Sequence, residues 1–185
     1  MGEMGKFIAS VLMVSVLFIS YSCNKAGTKA GKENTVENKI TQAPDGTISL
    51  GIEKAQCYNN AVDPSNNTAE WNFVVEKPGR YDVWVSSLTK DTMDLQYANS
   101  VKVNLQDVRL EAKPIGNKIV EDAKDVHYPY FRADSYMGTF YFNEPGEYSI
   151  QLISEKVIQK DSNLSALNDI DHTKLVSVIL TPMVR

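Results

Sequence analysis

The sequence predicts an all-β fold, a two-sheet antiparallel β-sandwich, and three observations predict it. From Ile48 onward apolar residues recur at every second position, and the runs are short and broken by turn residues. One turn, Pro-Gly followed by a charged residue and Tyr, is written twice, in "VVEKPGRYDVWVSS" at 74–87 and "FNEPGEYSIQLIS" at 142–154. A period of two sends successive side chains to opposite faces of a strand, so each run has one face to bury. Short strands of this kind, separated by turns, build sandwiches.

The elements follow in chain order. Ile48, Leu50 and Ile52 alternate, then Trp71, Phe73 and Val75, then Tyr81, Val83 and Val85. Trp71 is in phase with its strand and belongs to the core. Trp84 is out of phase, which puts it on the opposite sheet face, either under a loop or exposed. The polar stretch 89–100 is a loop holding Asp91, Asp94 and Tyr97, and Val101, Val103 and Leu105 form the next strand. In 114–128, Ile119, Val120 and Ala123 stand at helical spacing, so one short helix is expected there. Phe140 and Phe142, then Tyr148, Ile150 and Leu152, make two more strands. The polar segment 156–174 is a long loop before the last strand, Val176, Val178 and Leu180.

Pro sets φ near −65° and Gly supplies the positive φ of a type II turn. The repeated Pro-Gly is therefore expected to close two equivalent hairpins and to deliver Tyr81 and Tyr148 as first inward residues. Neither copy carries an ionisable group placed for chemistry, so the repeat is architectural.

The N-terminus reads differently. A short segment with Lys6, an uncharged apolar run from Phe7 to Tyr21, and Ser22-Cys23 form a secretory signal over 1–22. The run is shorter than the roughly 20 residues of a spanning helix. Ser20-Tyr21-Ser22-Cys23 resembles the lipobox of bacterial lipoproteins, although Tyr21 and Ser20 depart from its Leu-Ala-Gly-Cys form. The resemblance implies lipidation of Cys23 and lipid-anchored residence at the outer membrane or in the periplasm, with the membrane face left open. Residues 23–45, rich in Lys, Asn, Gly and Thr, are expected to be a flexible tether, and 46–185 the sandwich. Cys57 reads as a small buried hydrophobe. A net charge of −4 spread along the chain gives no support to a nucleic-acid partner.

"AEWNFVVEKPGRYDVWVSS", "GTFYFNEPGEYSIQLIS" and the closing "LVSVILTP" together resemble the galactose-binding-like jelly roll, over about residues 48 to 182. The pattern is similar to carbohydrate-binding modules of families 6 and 35 and to the accessory sandwich of some bacterial fucosidases. The resemblance implies a non-catalytic carbohydrate-binding module. Such modules open with an Ala-Glu pair that helps hold a structural calcium. Here Ala55-Gln56 and Val176 stand at the matching places, with Glu53 and Asp171 as substitutes, so the hard-cation site is incomplete and no cofactor is expected.

The densest group of ligand-type residues is "DVHYPYFRADSYMGTF", 125–140. Sugars need flat apolar faces to stack on and bidentate polar groups for their hydroxyls. Tyr128, Tyr130, Phe131, Arg132 and Asp134 supply both, and Tyr97 rims the same end; the aromatic members either form a platform or point into the core. No nucleophile elbow, His-Glu-x-x-His, phosphate loop or Cys-x-x-Cys occurs, and His127 and His172 sit in loops, so an enzyme is not expected. The partners expected are a carbohydrate or, in the alternative, another envelope protein that the chain joins as an interaction or assembly subunit.

Overall fold

A computed structural model describes residues 39–121, 123, 126, 129–158 and 173–183. The signal, Cys23, the tether up to residue 38, Tyr128, both histidines, Asp171 and most of the 156–174 loop lie outside the described residues. Ten strands are formed: β1 Ile48–Gly51, β2 Gln56–Tyr58, β3 Thr68–Val75, β4 Gly79–Thr89, β5 Val101–Leu105, β6 Val108–Ala112, β7 Lys118–Val120, β8 Phe131–Phe142, β9 Gly146–Ile153 and β10 Lys174–Pro182. They make two five-stranded antiparallel sheets, one ordered β1-β10-β4-β8-β7 and the other β2-β3-β9-β5-β6. The expected all-β sandwich is the observed fold, and the alternating residues of β3, β4, β5, β8 and β9 fill its core.

The repeated turn does something other than close hairpins. β3 and β4 lie in different sheets, and so do β8 and β9. Each Pro-Gly is therefore an arch that carries the chain from one sheet to the other. The arches stand side by side and are related by an approximate two-fold: Val75 pairs with Gly146 as Phe142 pairs with Gly79, and Phe73 pairs with Tyr148 as Phe140 pairs with Tyr81. In each arch the tyrosine hydroxyl donates back to the carbonyl of the residue before proline, Tyr81 to Lys77 at 2.6 Å and Tyr148 to Glu144 at 2.8 Å. That bond satisfies a carbonyl the arch takes out of any ladder and locks the turn. Gly79 has φ +146°, far from the roughly +80° of a type II turn, and Gly146 has no positive φ, so the type II expectation fails for both copies. Phe73, Tyr81, Phe142 and Tyr148 pack edge-on or stacked at centroid distances of 4.8 to 6.1 Å, sealing this end of the core.

Two β-bulges flank β4. On β8, Val83 pairs with Gly138 and Trp84 with Tyr136, so Met137 is the extra residue. On β10 the extra residue is Val176, between Leu175 and Ser177. A bulge changes which parity faces inward. Ala133 and Ser135 face the core before Met137, and Phe140 and Phe142 after it. Val176 accordingly does not continue the inward alternation of Val178 and Leu180 that the sequence pattern predicts.

Two further expectations change. The short helix expected in 114–128 is in part the edge strand β7, because Ile119 pairs with Ala133 and three residues of ladder outweigh a weak helical spacing. The packed domain also begins at or before Lys39 rather than at Gly46. Ile40 is 5% exposed and bridges Phe73, and Gln42 accepts from the N–H groups of Glu76 and Lys77. The Gln42 amide also donates to the Gly46 carbonyl and to the Tyr81 hydroxyl. One branched aliphatic and one amide suffice to bind a segment whose composition reads as tether.

Candidate functional site

The structure separates the predicted site residues. Tyr97 is 3% exposed, and its hydroxyl is 2.9 Å from Ser87 Oγ inside the sandwich, so it is a core residue and not part of a ligand surface. The reason is local: Leu95 and Tyr97 both turn inward, leaving Gln96 between them exposed. Burial pushes the Tyr97 hydroxyl up to about 12, opposed by the bond to Ser87 and assisted by the Glu155 carboxylate. A phenol whose folded value is raised contributes stability that is intact below about pH 10 and is lost as pH rises through about 12. Alkaline titration followed by circular dichroism is expected to show this loss, on the order of 2 kcal/mol, in the native protein and not in Tyr97→Phe. An identical alkaline limb in both would disprove the assignment.

Phe131 opposes Thr89 on the core side of β8, and Tyr130 lies at the end of the sandwich with the Lys90 ammonium 5.3 Å from its ring. Arg132 and Asp134 point the other way, to the outer face of the β4–β8–β10 sheet, opposite Leu88 and Ser86. There Arg132 Nε is 3.2 Å from Asp134 Oδ1, and Ser86 Oγ donates to the same carboxylate oxygen at 2.7 Å. Asp134 is itself buried, held between its neighbours. Its first role is thus structural, and the guanidinium is the partly exposed half of the pair.

The same outer face carries Tyr136 of the 125–140 group and adds Trp84, which the sequence does not connect to it. Tyr136 stands opposite Trp84, with ring centroids 5.2 Å apart. The Trp84 indole N–H donates to Thr181 Oγ1 at 3.3 Å, and the Tyr136 hydroxyl to Asp82 Oδ1 at 3.3 Å. Tyr136 is 42% exposed. Outward positions two apart on a strand are separated by roughly 7 Å, so the Ser86–Asp134 row is next to the aromatic pair, and Arg132, one row further on, reaches back to Asp134 on the same surface. Tyr136 faces outward at the Met137 bulge, and its N–H donates to Asn117 Oδ1 at 2.8 Å while Gly116 N–H donates to Ser135 Oγ at 2.9 Å. The phase of Trp84 marked this face in the sequence; nothing there marked the bulge.

On metal ligation, Glu53 is exposed, and among the described residues no group of three or more His, Cys, Asp or Glu side chains converges.

Comparison with known proteins adds the fold. No protein-family model and no curated protein sequence matches the chain. Among solved structures, an alpha-L-fucosidase from Vibrio sp. strain EJY3 is similar over 78% of this chain, with a TM-score of 0.58 and 19% identity. The shared fold is the β-sandwich. The match covers 24% of the fucosidase chain, so this chain corresponds to about a quarter of that protein. A GH26-CBM35 beta-(1,4)-mannanase of Podospora anserina is similar over 76% of this chain and 28% of its own, with a TM-score of 0.44 and 12% identity.

Proposed function

We propose that the chain is a non-catalytic carbohydrate-binding module, anchored at the bacterial cell envelope through a lipid on Cys23. The observation that carries the binding reading is the Trp84–Tyr136 aromatic pair, lying on the same sheet face as the Arg132–Asp134 ion pair. A tilted pair of rings with polar edges offers C–H stacking to a sugar ring, and the guanidinium and the Asp82 carboxylate offer bidentate bonds to its hydroxyls. The apolar run ending at Cys23 supports the anchor.

Calorimetry against plant and host polysaccharides, preselected on glycan arrays, tests the module. Tyr136→Ala is expected to weaken binding by about tenfold, the worth of one stacking contact, while unfolding stability changes by less than about 1 kcal/mol. Absence of glycan binding in the native protein, or unchanged affinity in Tyr136→Ala, would overturn the reading. A stoichiometric envelope protein that co-purifies in place of a glycan would replace it with the assembly-subunit reading. For the anchor, Cys23→Ser is expected to move the protein from the membrane fraction to the soluble one.

A further inference from the structure

The two arches match in register, but their flanks do not. On the β3 side, Ile40 lies parallel to β3, its carbonyl accepts the Val74 N–H at 2.9 Å, and Lys39 forms an ion pair with Glu147, the residue opposite Val74. Gln42 then takes the first two N–H groups of the arch, Glu76 and Lys77, at 3.0 and 2.8 Å. On the β8 side, no described segment occupies the corresponding place. β7 pairs with β8 only at Arg132–Asp134, and β5 stops at Leu105 opposite Ile150. Among the described residues, the edges of β8 at 139–142 and of β9 at 146–149 are left without a partner strand.

The backbone of that edge faces outward. The Arg80 carbonyl accepts from Met183 N–H at 2.9 Å on the β10 side, so it points away from β8. In an antiparallel pair a residue and its partner both turn away together, so Tyr141, opposite Arg80, directs its N–H and carbonyl to the bare edge. The side chains agree. Tyr141 is 65% exposed, and Tyr148 is half-buried although its counterpart Tyr81 is 2% exposed.

We infer that this edge is a docking site for an extended peptide segment of a partner protein, added in parallel to β8 as Ile40 is added to β3. Strand addition supplies backbone bonds, and the side chains at the edge set the sequence. The arch positions give the preference. Arg80 stands where Glu147 stands on the filled side, so the charge is reversed and the partner carries an acidic residue where this chain has Lys39. A branched aliphatic follows it, set opposite Phe140 as Ile40 is set opposite Phe73, where it covers the half-buried Tyr148. Two positions later an amide side chain meets the N–H groups of Asn143 and Glu144, the counterparts of Glu76 and Lys77.

The probe is a synthetic peptide, acetyl-Thr-Glu-Ile-Thr-Gln-Ala-amide, added to ¹⁵N-labelled protein, with a control in which Lys replaces Glu. The amide resonances of Tyr141, Asn143 and Glu144 are expected to shift, Tyr141 amide exchange to slow, and the Glu peptide to bind about fivefold tighter than the Lys peptide. Arg80→Glu, with its spectrum showing a folded protein, is expected to invert that preference. No shift at these amides at about 1 mM peptide, or an unchanged preference in Arg80→Glu, would overturn the inference. Concentration-dependent dimerisation that protects the same amides without peptide would also overturn it, by assigning the edge to a second copy.

Discussion

Phe142→Ala is expected to destabilise the protein by about 3–5 kcal/mol, the largest effect of any single substitution proposed for this chain. The side chain is fully buried, and its ring touches three others, Phe73, Tyr81 and Tyr148, at 6.0, 5.3 and 4.8 Å. These four residues come from both sheets and both arches, so the cavity left behind sits where the sheets are stitched and has no single flexible wall to collapse. Urea denaturation measures the loss. A double-mutant cycle with Tyr148→Ala is expected to show coupling of about 0.5–1.5 kcal/mol, because the two rings contact each other. A cost below about 1 kcal/mol would show that the arches close the core without this cluster.

Gly138→Ala is expected to cost about 2–3 kcal/mol. Gly138 sits at the β8 bulge with φ +134°, a conformation that residues with a Cβ adopt only under strain. An added Cβ would also stand 2.9 Å from Leu110 Cδ2, where β6 of the facing sheet packs against β8. The two causes can be separated. Leu110→Ala makes room for the methyl but leaves φ unchanged, so the double variant should recover the steric part and retain the backbone part. Full recovery in the double variant would show that the glycine is required only for space. Because the bulge sets the parity of Tyr136, Gly138→Ala should also alter the environment of Trp84, read as a shift in its fluorescence against the buried Trp71.

How much of this was legible depends on the range of the interaction. The inward residues of β3, β4, β5 and β9 follow from the period of two, because alternation is imposed within one strand by the pleat. Trp84 was placed on the outer face by the same local rule. The parity change in β8 was not, since Phe131, Tyr136, Phe140, Tyr141 and Phe142 are all aromatic and offer no contrast to mark a bulge. β7 was missed because a three-residue edge strand is held by its partner rather than by its own pattern. Tyr97 and Asp134 were legible as polar or aromatic residue types, yet burial decides their roles. The phenol finds Ser87, and the carboxylate finds Ser86 and Arg132, each only once the strands are paired.

The sequence by itself determined the all-β class, most of the core, the two equivalent turns and the absence of recognised catalytic motifs, all of which rest on local geometry or residue type. The tertiary structure alone decided that the turns are arches rather than hairpins, that Ile40 belongs to the domain, and that Trp84, Tyr136 and Arg132 share one face. Those facts depend on which strand lies beside which. Sheet pairing is a contest between distant segments for the same backbone hydrogen bonds, and no window of neighbouring residues contains both contestants.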